Sequence, residues 1–328
     1  MVGQNRIDPE RVPQVQLADG WKLPGIGMGT FGGGHYSPEQ VAAAVRGALQ
    51  AGYRLVDCAP VYGNEAALGP VFKEFIASGA SRSELKIISK VWNDMHGPGD
   101  VLRSCVRSLK DLGLEYLDLF LVHWPFTDTP GPYRHREYMK TWAQMERLHE
   151  LGLVRGIGVS NMSAAKLKLL LREARVKPVV NEIELHPCFQ QPELFRFCLE
   201  HGIRPIGYCP IGSPKRPERN VEAGDAVDTE NPAVKAVAEN HRVHPAVICL
   251  KWAVQRGQIP IPFSVHATKY VANLRSVTED PLSAAEMDLL QTADRNCRLM
   301  KGKGFLWDGA RDWHDLWDED GIIRGCTE

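Results

Sequence analysis

Groups able to move or stabilise a proton stand at the ends of short apolar runs in this chain of 328 residues. Asp57 closes the run Leu55-Val56-Asp57, Lys90 the run Lys86-Ile87-Ile88-Ser89-Lys90, and His123 the run that starts at Leu117. Tyr62 lies in the loop after Asp57. Ser160-Asn161 ends a fourth run, Asn181, Glu182 and Glu184 lie on a fifth, and Tyr208 ends a sixth. Taken singly, each has a plain structural reading. A lone Asp or Lys pairs with a neighbour, and a lone His packs against one. One polar group per apolar run is different, because a buried charge costs several kcal/mol unless it is paired or used.

If these groups meet, their chemistry is proton transfer. A tyrosine ionises at about 10, too high for ready exchange at neutral pH. An ammonium at about 4 Å favours the phenolate by roughly 4 kcal/mol at an effective dielectric of about 20. That corresponds to about three pKa units, enough to make Tyr62 a general acid if Lys90 is its neighbour. Asp57 would keep Lys90 charged and in place. His123 would hydrogen-bond a substrate oxygen and stabilise negative charge developing there. The set suits reduction of a carbonyl by a hydride that a cofactor supplies. It requires the hydroxyl of Tyr62 to lie within reach of the amine of Lys90.

The elements that must bring these residues together follow one rhythm. Short apolar runs, read as buried strands, fall at 25–29, 55–57, 86–90, 117–123, 154–160, 179–184, 204–208 and 259–262, with helical periodicity between them. Ser37-Pro38-Glu39-Gln40 is a capped helix start closed by Ala51-Gly52, Ser163 opens another helix, and Gln191-Pro192-Glu193 a third that ends at His201-Gly202. Each strand but the last is clearly followed by helix. Such alternation implies parallel pairing by crossover, and eight units close into a (β/α)8 TIM barrel whose strand ends converge on one face. Ahead of it, Asp19-Gly20 between short alternating runs predicts a β-hairpin, with Trp21 as hairpin packing. The expected organisation is one domain over 1–328, with a core of about 12–297 and a long C-terminal tail over 298–328. Two segments break the rhythm: the polar, proline-containing stretch 211–230, long enough to be functional, and the tail with its aromatics.

Gly27-Met28-Gly29-Thr30-Phe31-Gly32 matches G-x-G-x-x-G literally. The helix begins only at Ser37, however, so a pyrophosphate would not sit on its N-terminus. No acidic residue closes a second strand about 20 residues on, as the doubly wound dinucleotide fold requires. A glycine-rich loop after the first barrel strand is the better reading.

Composition is that of an ordinary globular chain, 44% apolar and 24% charged, with a net charge of -1 and no basic stripe, which argues against a nucleic-acid partner. No apolar run approaches the length of about 18 residues that spans a membrane, and the start of the chain has no apolar signal core. The eight cysteines are scattered without a C-x-x-C pair, the pattern of free thiols in a reducing compartment; the expected location is the cytoplasm, with no metal site.

Asp57-Cys-Ala-Pro-Val-Tyr62-Gly-Asn-Glu resembles the signature of the aldo-keto reductase family. Leu117-Asp118-Leu-Phe-Leu-Val-His123-Trp-Pro resembles that family's histidine strand, and Gly152-Leu-Val-Arg-Gly-Ile-Gly-Val-Ser160-Asn161 its fifth-strand motif. The likeness runs from about Val12 to about Asn273, and its combined motifs are highly specific. It implies Asp57, Tyr62, Lys90 and His123 as catalytic residues, NAD(H) or NADP(H) as cofactor, and a small-molecule carbonyl or alcohol as substrate. It further implies that Ser160 and Asn161 hold the nicotinamide carboxamide and that Tyr208 stacks on the ring. Cofactor contacts are also implied at Gly29, Thr30, Asp57 and Glu182, at Pro210, Ile211, Gly212 and Ser213 after Tyr208, and at Phe263, Ser264, Lys269 and Asn273. Phe31, Trp92, Trp124 and Trp307 are candidates for an aromatic wall around a small or sugar-sized carbonyl.

Two positions depart from the family pattern. Where the family usually has Gln, this chain has Glu182; a carboxylate there accepts from the carboxamide but cannot donate, and it favours the positively charged oxidised ring. Near the last strand the family usually has Pro-Lys-Ser and an Arg five residues after that Ser, which clasp the 2′-phosphate of NADP. Here Phe263 stands for the lysine and Lys269 for the arginine. A hydrogen bond to a charged group is worth about 1.5–3 kcal/mol, so the loss lowers affinity roughly ten- to a hundredfold. Lysine also lacks the planar fork of arginine. A weakened preference for NADP and real use of NAD are expected, although Ser264, His266 and Lys269 can still hold a phosphate. The rival readings are a non-catalytic nicotinamide-binding structural or regulatory subunit on the same barrel, against which the four intact residues argue, and a metal-dependent barrel hydrolase using His123 and His186, for which no strand carries an H-x-H pair.

Overall fold

The computed structural model describes residues 6–18, 20–213 and 216–326. β1 (Gln14–Gln16) pairs antiparallel with β2 (Lys22–Pro24), as the hairpin reading required; Asp19 of its turn lies outside the described residues. Eight parallel strands follow in spatial order of sequence. They are β3 (Met28–Gly29), β4 (Leu55–Asp57), β5 (Lys86–Val91), β6 (Leu117–Val122), β7 (Val154–Ser160), β8 (Val180–Glu184), β9 (Arg204–Tyr208) and β10 (Ile259–Pro260). The first and last then meet. The amide of Gly27 donates to Pro260 O at 3.0 Å and that of Gly29 to Pro262 O at 3.0 Å, closing the sheet into a barrel.

That closure explains the glycine-rich motif. A Cβ on Gly27 would stand 2.9 Å from Leu55 and 3.0 Å from Ile261, and one on Gly29 would stand 3.0 Å from Ile261 O. The glycines permit strand contact rather than phosphate approach.

The helices alternate with the strands. α1 (Pro38–Ala51), α2 (Glu65–Ala77), α3 (Asp100–Leu112), α4 (His135–Glu150), α5 (Ala164–Glu173) and α6 (Pro192–Glu200) follow β3 to β8 in turn. The N-terminus of α1 carries the predicted cap with Pro38 in the first turn, and the cap is a capping box in which Ser37 and Gln40 satisfy each other's amides. Two helices, α7 (Pro232–His241) and α8 (Pro245–Gln255), separate β9 from β10. The last strand is also followed by a helix, α9 (Ala267–Ser276), whose buried Tyr270, Val271 and Leu274 recur at three and four residues. α10 (Ala284–Gln291) and the single-turn α11 (His314–Trp317) lie beyond. Among the described residues, no helix is long and apolar enough to cross a membrane.

Residues alternate faces along a strand, so every second side chain points into the barrel. Leu55, Ile88, Leu119, Leu121, Val180, Ile206, Ile259 and Ile261 fill the interior, and Leu17 and Leu23 of the hairpin join them. Continuing the same two-residue step toward the C-terminal strand ends leads from Leu55 to Asp57, from Ile88 to Lys90, from Leu121 to His123, from Val180 to Glu182 and from Ile206 to Tyr208. The interior is therefore apolar in its lower layers and polar at its mouth.

Candidate active site

Lys90 is fully buried at the centre of the mouth. Its ammonium is paired with Asp57 Oδ1 and lies 3.2 Å from Cys58 O, 3.3 Å from Glu182 Oε1 and 3.4 Å from the hydroxyl of Tyr62. Asp57 is held in turn by the adjoining backbone. Thr30 Oγ1 donates to Asp57 O at 2.7 Å, and Asn64 donates to Thr30 O at 2.8 Å. Tyr62 sits on the short turn Pro60–Tyr62, where Pro60 presets the backbone and Gly63 ends it at φ 69°. His123 follows β6, with its amide on Val91 O at 3.1 Å, and its ring meets Tyr62 edge-on at 5.8 Å. The structure thus gathers Asp57, Tyr62, Lys90 and His123 at one end of the barrel.

The electrostatics differ from the expectation in one respect. Lys90 does favour the phenolate of Tyr62, but burial outweighs it, and Asp57 and Glu182 work in the same direction as burial. The hydroxyl is pushed up rather than down, so Tyr62 holds its proton. The reason is desolvation of the hydroxyl in the buried mouth, which exceeds the pull of an ammonium already paired with Asp57. Burial, followed by the Lys90 charge, drives His123 well below the usual imidazole range, so the ring is neutral.

Glu182 shows why its exchange for Gln matters. Burial and then the Asp57 carboxylate, against the pull of Lys90, push it up to about 8. It carries a proton at neutral pH and can donate a hydrogen bond after all. Its Oε2 is buried without a partner. A buried polar atom of this kind is the feature a bound amide would satisfy, and on this ground the site fits a nicotinamide carboxamide.

The neighbouring polar residues are linked to one another. Ser160 Oγ donates to Glu182 O at 2.8 Å, and Asn161, left-handed at φ 57°, donates from its side chain to His123 O at 2.9 Å. Tyr208 donates to Asn161 Oδ1 at 2.7 Å, which fixes its ring beside the mouth. Pro210, Ile211, Gly212 and Ser213 continue from β9, with Gly212 and Ser213 at positive φ. Pro214 and Lys215 of the long loop lie outside the described residues. Phe263 packs edge-on against Tyr36 at 5.9 Å and close to Gly29. Ser264 Oγ accepts from the amide of His266 at 3.1 Å, Lys269 is exposed on α9, and Asn273 is half-buried on the same helix.

Of the four aromatic candidates, three border the mouth. Phe31 is exposed and packs on Tyr62 at 5.1 Å; Trp92 lies 4.9 Å from His123; Trp124 is buried against Phe305 and Trp317 at 4.7 and 5.5 Å. Trp307 is half-buried beside Gly325, and among the described residues no ring contact ties it to this cluster. Phe305 takes that place, contacting Trp92, Trp124 and Phe126.

Sequence reasoning placed Phe305 among the tail aromatics but chose Trp307 for the wall, and it missed the ionic ties that hold the tail. Glu222 and Asp225 of the long loop pair with Lys301, Glu222 also with Lys303, and Arg216 with Asp225. Lys166 of α5 forms a buried pair with Asp318 and donates to Leu316 O at 2.7 Å. Opposite charges in both segments were the only available signal. All eight cysteines are unpaired; five are buried, while Cys209, Cys297 and Cys326 are partly exposed. Among the described residues, no group of three or more His, Cys, Asp or Glu side chains is placed to hold a metal ion.

A closed eight-stranded barrel with a tyrosine, a buried lysine, a carboxylate and a neutral imidazole at its mouth defines a class of oxidoreductase scaffold. Residues 25–295 match the model of the Aldo/keto reductase family, and the chain belongs to that family. Aldo/keto reductase slr0942 of Synechocystis sp. is 37% identical over 328 residues, an alignment that covers 96% of this chain and 98% of that protein. Aldo-keto reductase family 1 member A1 of Mus musculus is 40% identical over 300 residues, covering 87% and 90%. Among solved structures, a Bombyx mori aldo-keto reductase crystallised in complex with NADP superposes with a TM-score of 0.81 at 34% identity, covering 88% of this chain and 95% of the other.

Proposed function

We propose that the protein is an NAD(P)-dependent reductase of aldehydes, ketones or sugar carbonyls, able to oxidise the corresponding alcohols or polyols. The observation that carries this reading is the contact of 3.4 Å between the Tyr62 hydroxyl and a Lys90 ammonium that is itself buried against Asp57. A bound nicotinamide dinucleotide supplies the hydride, or accepts it in the reverse direction. Tyr62 gives its proton to the substrate oxygen, and Lys90 stabilises the phenolate left behind. Asp57 keeps the ammonium charged and positioned. The neutral His123 orients the carbonyl by hydrogen bonding and adds no competing charge. Ser160, Asn161, Glu182 and Tyr208 hold the nicotinamide end; residues 210–213 and Phe263, Ser264, Lys269 and Asn273 serve the rest of the dinucleotide. Phe31, Trp92, Trp124 and Phe305 exclude water from the substrate.

The test is spectrophotometric turnover against a panel of aldehydes, keto-sugars and polyols with each cofactor. Oxidation of reduced cofactor by a simple aldehyde is expected. Tight dinucleotide binding with no turnover on any member of the panel would favour the non-catalytic reading instead.

A further inference from the structure

An ammonium has three hydrogens to donate. Around Lys90 four oxygens compete for them: Asp57 Oδ1, Cys58 O at 3.2 Å, Glu182 Oε1 at 3.3 Å and the Tyr62 hydroxyl at 3.4 Å. One acceptor is always left short. Glu182 is 2% exposed, and its second oxygen has no partner. Facing it are Asp57 from β4, Tyr62 from the turn that follows, Lys90 from β5 and Tyr208 from β9, with uncharged Ser160 at the end of β7 and Asn161 just after it. Only Lys90 in that ring is a cation, and Asp57 already neutralises it. A second carboxylate ionised here would be an uncompensated charge out of reach of water, which is strongly disfavoured.

An oxidised nicotinamide ring is positively charged and a reduced one is not. We infer that Glu182 reads this difference: it keeps a proton in the free protein and beside the reduced ring, and releases that proton to solvent when the oxidised ring binds. The inference rests on the functional reading above, in which the ring lies next to Ser160, Asn161 and Tyr208. The exchange is simple. The O–H bond of the carboxyl breaks, the electron pair stays on the oxygen, the proton goes to the buffer, and nothing is oxidised or reduced.

The sign of the pH effect follows. The ordinary range of Glu182 in the free protein centres on about 8, raised by burial and then by Asp57. A neighbouring positive charge lowers it. Below that value, binding of the oxidised form releases a proton and tightens as pH rises, by up to about tenfold per unit. Binding of the reduced form is flat over the same window. Above about pH 9 the coupling ends, because Glu182 is already ionised in the free protein.

Calorimetric titration of the intact protein with the oxidised and the reduced form of one dinucleotide tests this. Phosphate contributions cancel between the two forms, and buffers of different ionisation enthalpy count the protons. At pH 7.5 a group centred on about 8 is about three-quarters protonated, so release of between about half and three-quarters of a proton more is expected for the oxidised form. Glu182→Gln should abolish the difference and flatten the pH dependence of the affinity ratio, whereas Tyr62→Phe should preserve both. Equal proton counts for the two forms in the wild type would overturn the inference even if no variant folds. A difference that survives in Glu182→Gln would overturn it too, by assigning the proton elsewhere. If neither form produces binding heat or quenches tryptophan fluorescence, the nicotinamide reading itself fails and this inference goes with it.

Discussion

At Tyr62 two effects oppose each other, and burial is the larger. A tyrosine that holds its proton is ready to act as an acid, which is what the proposed reduction asks of it. Tyr62→Phe removes the proposed proton donor. Its kcat/KM for aldehyde reduction should fall about a hundred- to ten-thousandfold, while the dinucleotide still quenches tryptophan fluorescence with nearly unchanged affinity. A fall of less than tenfold would mean that another group supplies the proton. Phe263 poses a different question, since an aromatic ring against Tyr36 stands where the family resemblance implies a cation for the 2′-phosphate. Phe263→Lys should raise the affinity for NADP relative to NAD by about ten- to a hundredfold. An unchanged ratio of the two dissociation constants would show that Ser264, His266 and Lys269 already hold the phosphate.

Among the elements, the tail is tied to the barrel by ion pairs as well as by its aromatic rings. Lys166 and Asp318 are each 1% exposed, and removal of one partner strands the other. Lys166→Met should destabilise the protein by about 3–5 kcal/mol, read from the urea midpoint, with much of the loss recovered when Asp318→Leu is added. A single variant as stable as the double would contradict this account. A second tie runs from β8 through His186, whose ring lies 3.0 Å from Glu184 and 2.9 Å from Asp228. Burial opposes its charge, yet the Asp228 charge and the hydrogen bonds that the ring donates to Asp228 and Glu184 together raise it to about 9. A raised folded pKa stabilises fully below the unfolded value of about 6.5 and is lost as pH rises through about 9. Between pH 6 and 9.5 the wild type should therefore lose about 3 kcal/mol more than His186→Asn. Glu182 titrates in both proteins and cancels from the comparison. Little of this was legible beforehand. Strands such as Val154–Ser160 and Arg204–Tyr208 declared themselves, because an apolar run between turn residues has few other fates. Lys301 and Glu222 are 79 positions apart with no periodicity between them. The contact of Glu182 with Lys90 crosses the barrel mouth, so it depends on a diameter that no local pattern encodes.

On the scale of the molecule, the site is as exact as the closure of the barrel. Gly27 and Gly29 of the first strand segment meet Pro260 and Pro262 of the last through two hydrogen bonds. At that seam the apolar interior touches the polar mouth: Leu55, which a Cβ on Gly27 would crowd, lies two residues before Asp57 on β4. Gly27→Ala places a methyl group 2.9 Å from the Leu55 side chain and 3.0 Å from that of Ile261, too close for either to stay in place. Overpacking of this kind costs about 1–3 kcal/mol. The strain can relax outward, spreading β3 from β10, or along β4, shifting Asp57 and the ammonium it holds. The two routes have different signatures. Spreading lowers the urea midpoint and leaves kcat intact, because Lys90 and Tyr62 keep their spacing. A shift along β4 lowers kcat by more than the stability loss accounts for. The second is expected, since Leu55 and Asp57 lie two residues apart on the same short strand, so a displacement of Leu55 carries Asp57 with it. A Gly27→Ala protein with wild-type kcat and a lowered midpoint would show that the seam and the catalytic mouth are mechanically independent.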